Sequence, residues 1–199
     1  MRNNQPVINF VTTNASKFAV YQLFFKDLDI KLERINEELY EPQSLDPHQI
    51  IAAKLTQAKE KFPNKKVIVD DRSLFIPTLN DFPGPAVKLA LHGLGADGFL
   101  KLMADKKDRT MKFTTAMGFF DGRHDHYFFY DKTGTMLKEK RGTNLHGWTE
   151  MLYIYAPAPT PTKSLAEYSD SEWQRYLILN DETIELQQKI ASLLKKEQN

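Results

Sequence analysis

Between Val7 and Asp71 the chain alternates strand-like with helix-like segments, and this alternation restricts the fold more than any other feature. Val7 to Thr12 is β-branched and aromatic, the composition of a buried strand. Thr13-Asn14-Ala15-Ser16-Lys17 then supplies capping residues ahead of Phe18, Tyr21, Phe25 and Leu28, whose spacing predicts an amphipathic helix. A second strand is predicted over Ile30 to Ile35, followed by the acidic loop Glu37-Glu38-Leu39-Tyr40-Glu41. Asp46-Pro47 pairs an N-cap with a proline at the first helical position and starts a second helix. That helix turns Ile51, Leu55, Ala58 and Phe62 to one side and stops at Pro63-Asn64. The apolar run Val67-Ile68-Val69 reads as a buried strand ending in the acid pair Asp70-Asp71. Strands separated by helices are joined in parallel through crossovers, so the chain is expected to be α/β, with a mixed sheet and flanking helices.

The remainder is patterned differently. Two short helical stretches, Val87 to Leu91 and Ala96 to Met103, are punctuated by Gly93 and Gly95. Met111, Phe113, Thr115, Met117 and Phe119 alternate with a period of two, Asp121-Gly122 offers a hairpin turn, and Tyr127 to Asp131 leads to a second turn at Lys132-Thr133-Gly134. An antiparallel meander is expected there. Pro157 to Pro161 reads as an extended loop, Ser169 with Glu172 as a capping box, and Leu186, Ile190 and Leu193 as the apolar face of a last helix. With 199 residues, one domain of two lobes covering residues 1–199 is expected.

Composition narrows the chemistry. Twenty-seven Lys plus Arg against 26 Asp plus Glu leave a net charge of +1, which argues against a protein that coats a nucleic acid polymer. No apolar run is long enough to cross a bilayer, and the opening residues lead into a strand instead of a secretory leader, so a cytoplasmic location without membrane association is expected. The chain has no cysteine, so its chemistry must use oxygen and nitrogen groups.

Three places could carry that chemistry. Thr12, Thr13, Asn14 and Lys17 sit where a strand passes into a helix; free N–H groups, hydroxyls and an ammonium there could cradle a triphosphate, or could form an ordinary capped turn. Asp70 and Asp71 at an apolar strand end are expensive unless a cation or donors satisfy them, although one N-cap and one solvated acid would also account for them. His146-Gly147-Trp148 could stack a nucleobase or pack into the core. His124 and His126, near a hairpin and without a third ligand, read as solvated strand residues, and Glu41 and Lys54 alone are surface charges.

Taken in order, these pieces resemble the inosine triphosphate pyrophosphatase family, whose members hydrolyse deaminated purine nucleoside triphosphates. Its opening Thr-x-Asn-x-x-Lys is similar to Thr12-Thr13-Asn14-Ala15-Ser16-Lys17, its acid pair before Pro-Gly to Asp70-Asp71 with Pro83-Gly84, and its base-binding Phe-Gly-Trp-Asp to His146-Gly147-Trp148-Thr149. Leu165-Ala166-Glu167-Tyr168-Ser169 is similar to its Ala-Glu-Met segment. The resemblance implies an elongated fold with a central nucleotide-binding groove, a homodimer, and Mg²⁺ held by Glu41 and Asp71. It further implies proton acceptance by Asp71 or Asp70, and phosphate contacts from Asn14, Lys17 and Lys54. The base half departs from the pattern. Thr149 replaces a carboxylate, Trp173-Gln174 replaces Lys-Asn, and Leu177-Ile178-Leu179 stands where Ser-His-Arg reads the purine carbonyl. The expected function is therefore Mg²⁺-dependent hydrolysis of a nucleoside triphosphate to the monophosphate and pyrophosphate, with altered or relaxed base preference. The alternative is a nucleotide-binding regulator that does not hydrolyse.

Overall fold

The computed structural model describes residues 5–26, 28–178 and 181–196. It is a mixed α/β structure whose six strands form one sheet in the order β2-β1-β3-β4-β5-β6. The strands are β1 (Val7–Val11), β2 (Lys31–Ile35), β3 (Val67–Phe75), β4 (Thr110–Phe120), β5 (Asp125–Met136) and β6 (Tyr155–Pro157). The helices are α1 (Ala15–Phe25), α2 (Pro47–Lys61), α3 (Val87–Leu102), α4 (Asp170–Ile178) and α5 (Asp181–Lys196). The chain divides into two compact units. The first comprises Met1–Asp71, Ala116–Phe129 and Tyr176–Asn199, and the second Arg72–Thr115 and Tyr130–Arg175. Among the described residues no helix is long and apolar enough to cross a membrane.

In the first unit β1 runs parallel to both β2 and β3, as expected of strands joined through α1 and α2. Asp46 caps α2, its side chain accepting from the His48 N–H, with Pro47 at the first helical position. The apolar stripe of α2 meets the sheet directly: Ile51, Leu55 and Ala58 pack with Val11, Leu39, Val67, Val69 and Ala116 in one cluster, against which Phe62 is partly buried. Burying a side chain of that size contributes about 1.5–3 kcal/mol. α1 instead packs through an aromatic group, Phe10 with Tyr21 at 4.4 Å and Tyr21 with Phe24 at 5.8 Å. The helix ends at Phe25, so Leu28, expected on its apolar face, lies beyond it. In α5 the buried face is Leu186, Ile190 and Leu194, one residue on from the expected Leu193.

Two strands run further than the sequence suggests. β3 continues to Phe75, so Asp70 and Asp71 stand inside it instead of closing it. They nevertheless lie past the end of β1, because Phe10 pairs with Ile68 and β1 stops one residue later, at Val11. The two acids thus occupy the carboxyl edge of the parallel part of the sheet, where α/β proteins present functional groups. β5 likewise runs straight through Lys132-Thr133-Gly134, which is not a turn. Gly134 is there because β6, its antiparallel partner, packs closely on it: a Cβ at that position would lie 2.4 Å from the Ala156 carbonyl oxygen and 2.4 Å from the Tyr155 ring.

The second unit holds α3, which bends at Gly95 (φ 60°) and so matches the two short stretches expected. Arg109 is buried and donates to the Met136 and Leu137 carbonyls at 2.8 Å each and to that of Met103, the C-cap of α3. Ser169 and Glu172 form the expected capping box of α4, the Ser169 N–H donating to the carboxylate at 2.8 Å and Ser169 Oγ accepting from the Glu172 N–H at 3.3 Å.

Candidate active site

In the first unit the strand-to-helix turn is built as a cap. Asn14 Oδ1 accepts from the Lys17 N–H at 3.0 Å, and Thr12 Oγ1 accepts from the Asn14 N–H at 3.1 Å. Arg34 braces the turn from beneath: Nε donates to the Thr12 carbonyl at 3.0 Å and Nη2 to that of Thr13. Thr13 and Asn14 are exposed. The Lys17 side chain folds inward instead of into solvent, and Nζ lies 2.9 Å from Asp70 Oδ1, with the Asp70 side chain only 3% exposed.

Lys54 forms the second half of this cluster. Its ammonium is 2.8 Å from Glu41 Oε1 and 3.4 Å from Asp71 Oδ1. Lys17, Glu41, Lys54, Asp70 and Asp71, scattered along the sequence, are therefore linked as two ion-pair groups on one sheet edge. Burial alone would depress the Lys54 ammonium, but the carboxylates of Asp71, Asp70 and Glu41 more than offset it and hold its pKa above the ordinary lysine value. For Asp71 burial dominates. Despite the attraction of Lys54 and Lys17, desolvation, aided by Glu41 and Asp70, holds its carboxyl above the usual aspartate range, the direction required of a proton acceptor.

Three carboxylates face two ammonium groups here, and Asp70 Oδ2 and Asp71 Oδ2 are buried with no hydrogen-bond partner. A hard cation accounts for such orphaned oxygens better than more protein would. Among the described residues no group of three His, Asp or Glu converges as a complete cage. Two carboxylates with the remaining positions open is nonetheless a donor set on which Mg²⁺ can be carried with substrate phosphates, and Asp70 Oδ2 and Asp71 Oδ2 are hard oxygen donors of the kind that ion takes.

In the second unit the loop at His146-Gly147-Trp148 is tightly organised. Asn144 Oδ1 accepts from the His146 N–H at 2.9 Å, and His146 takes a left-handed backbone (φ 48°), unusual outside glycine. Its ring lies 4.6 Å from that of Trp173 on α4 at an interplanar angle of 7°. Trp173 meets Trp148 edge-on at 6.4 Å, and the Arg72 guanidinium lies over the Trp148 ring at 4.6 Å. The His146 side chain is 3% exposed, with Nδ1 3.5 Å from Asp170 Oδ1 and Nε2 unpartnered. Thr149 is exposed and begins a short 3₁₀ turn, to which its side chain gives no cap. Leu177 is buried; the side chain of Ile178, and Leu179 altogether, lie outside the described residues.

The expected residues thus come together as a charged group in one unit and a loop in the other, with additions. Arg34, Arg72 and the stacking role of Trp173 escape sequence reading. For Arg72, position directly after the acid pair is the one available signal. His126 departs from expectation: it is not a solvated strand residue, since Nε2 lies 2.6 Å from Asp121 Oδ2, whereas the His124 side chain is 76% exposed.

The chain is similar to known proteins in sequence and in fold. The Ham1 family profile matches residues 8–177. A dITP/XTP pyrophosphatase of Saccharolobus solfataricus is 33% identical over 169 residues, 85% of each chain. One of Methanosarcina mazei is 35% identical over 142 residues, 71% of this chain and 77% of its own. In fold, a HAM1 protein from Coxiella burnetii matches with a TM-score of 0.76 over 96% of this chain and 99% of that one, at 19% identity. With a family profile spanning both the acid pair and the aromatic loop, and relatives of this identity over most of their length, the chain belongs to the Ham1 family.

Proposed function

We propose that this protein is a hydrolase of phosphoric anhydrides, a nucleoside triphosphate pyrophosphatase that depends on Mg²⁺ and has an altered or relaxed base preference. The observation that carries the reading is the Lys54 ammonium, 2.8 Å from Glu41 and 3.4 Å from Asp71, beside two buried carboxylate oxygens without partners. Names of relatives support it: those of Saccharolobus solfataricus and Methanosarcina mazei are dITP/XTP pyrophosphatases.

In the proposed reaction a water oxygen bonds to the α-phosphorus, the bridging bond to the β-phosphate breaks, and pyrophosphate leaves. Asp71, its basicity raised by burial, accepts the water proton, with Asp70 as the neighbouring acid. Lys17, released from Asp70, and Lys54 hold phosphate oxygens, while the capped turn of Thr12, Thr13 and Asn14 presents N–H and hydroxyl groups to them. Mg²⁺ on Glu41 and Asp71 would neutralise charge on the phosphates and make bound water more acidic. His146, Gly147, Trp148 and Thr149 contribute the base-facing loop.

The altered base preference rests on this chain's own residues, because aliphatic side chains replace the donors that read the base in the resembling family. The substrate is a free nucleotide, the location is read as cytoplasmic, and the resemblance supports a homodimer, which light scattering of the purified protein tests. Pyrophosphate release is measured across purine, pyrimidine and modified triphosphates with and without Mg²⁺. Turnover of at least one, abolished by chelation, is expected; binding without turnover of any would make the protein a nucleotide-binding regulator.

A further inference from the structure

Arg72 differs from Arg34, Arg109 and Arg141 in what holds its guanidinium. Arg34 and Arg109 direct their guanidinium groups onto backbone carbonyls, and Arg141 donates to the Thr162 carbonyl at 2.9 Å and pairs with Glu167 at 3.1 Å. Arg72, half-buried, has the Trp148 ring beneath its guanidinium at 4.6 Å, and among the described residues no carboxylate or carbonyl accepts from it. Stacking on an aromatic face restrains a guanidinium without using its in-plane donors. The result is a positioned fork of N–H groups with no acceptor of its own, beside the His146–Trp173 stack at 4.6 Å.

Fork geometry selects its partner. A guanidinium donates best to two adjacent acceptors, which a 6-oxopurine offers at its carbonyl oxygen and N7, whereas a 6-aminopurine puts a donor in the place of the carbonyl. Among the residues aligned with the resembling family's base contacts, Leu177 is buried and Thr149 bears no charge. Lys163 of the same unit is held by Glu172 at 2.6 Å.

We propose that Arg72 is the residue of this chain that reads the base, donating to the carbonyl and N7 edge of a 6-oxopurine from its seat on Trp148. This rests on the nucleoside triphosphate reading above. A single half-buried bidentate contact gives moderate discrimination, so about a 10-fold preference for inosine over adenosine triphosphate is expected, in the lower part of the range for such pairs.

The test compares the full-length protein with Arg72→Met and Arg72→Lys. The readout is the ratio of kcat/KM for inosine triphosphate to that for adenosine triphosphate, in the presence of Mg²⁺. Both variants are expected to bring that ratio within about 2-fold of unity, the lysine variant because a point charge cannot replace the fork. A ratio unchanged in both variants, whether or not the two rates fall together, overturns the proposal and makes Arg72 a phosphate or structural contact. A second measurement is independent of turnover. Both tryptophans of the chain, Trp148 and Trp173, lie in this cluster, so quenching of tryptophan fluorescence by inosine or adenosine monophosphate reports on it directly. Tighter binding of the inosine nucleotide by the unaltered protein, lost in both variants, supports the assignment even if no triphosphate is turned over. Equal binding of both by the unaltered protein overturns it while leaving the hydrolytic reading intact.

Discussion

The two clusters differ in how their side chains are satisfied. Lys17, Glu41, Lys54, Asp70 and Asp71 form a group in which each ammonium already holds at least one carboxylate, and two carboxylate oxygens remain without partners. His146, Trp148, Trp173 and Arg72 are held by ring faces, at 4.6 Å for both the His146–Trp173 stack and the Arg72–Trp148 contact. Charge pairs act through distance and dielectric, so their function depends on net charge and on which ion replaces which. Stacked groups act through shape and edge donors, so theirs depends on what planar ligand fits. In the proposed function the first cluster is accordingly assigned to bond cleavage, and the second to selection.

The largest effect separating them is expected at Asp71. Asp71→Asn should leave the fold intact and lower turnover by at least ~10²-fold with every triphosphate, the low end of what a positioned proton acceptor contributes. Steady-state rates alongside circular dichroism check this, and near-normal turnover in a folded variant would falsify the role. Within the charged cluster, Lys17→Ala should weaken triphosphate binding and Glu41→Gln should weaken Mg²⁺ binding. Raising Mg²⁺ should therefore restore roughly 10-fold of activity to the Glu41 variant and almost none to the Lys17 variant, since one extra decade of ion compensates for a tenfold weaker site. Equal rescue of both would dissolve the distinction between ion-holding and phosphate-holding residues.

A smaller effect is expected on the selective side. Inosine and adenosine triphosphates should differ by less than ~10²-fold in kcat/KM, because a pocket lacking the family's paired donors leaves few buried polar groups stranded by the wrong base. A preference well above 10³-fold would show that the base is read by a complete set of donors.

The smallest effect tests the electrostatic argument on an acid outside both clusters. Asp121 resembles Asp71 in being buried, and burial pushes both upward, but Asp121 accepts from the His124 and Arg123 N–H groups at 2.7 Å each and pairs with His126 at 2.6 Å. These donors overcome burial and bring its pKa down from 3.8 to about 2. A carboxyl with a depressed folded pKa stabilises the fold above its unfolded value and loses that contribution as pH falls through the folded one. Asp121→Asn should therefore lower stability by on the order of 1 kcal/mol at neutral pH. The gap from the unaltered protein should close between about pH 4 and pH 2 in denaturant titrations. A constant gap across that range would mean that the donors do not favour the ionised form.

Much of the charged cluster was legible in the linear chain. Asn14, Lys17, Glu41, Lys54 and Asp71 follow a family spacing, and Asp46-Pro47 with the stripe of Ile51, Leu55 and Ala58 announces α2 and its buried face. Caps and periodicities of this kind are set by groups within a few residues of one another, so short stretches carry them complete. Other features needed the assembled molecule. β3 continues past Asp71 with β4 as its neighbour although β1 has ended. Gly134 marks a close antiparallel pairing with β6 that looks like a turn in one dimension. Arg34 braces a turn that precedes it by a whole helix, and Trp173, an oddity in the alignment, becomes the partner of His146 only when α4 is placed. The chain alone thus determined the helices of the first unit and, through the family resemblance, which charged residues to single out. Tertiary structure decided which aromatic rings and guanidinium groups share a surface, because stacking partners carry no local signal and are chosen by packing between segments distant in sequence.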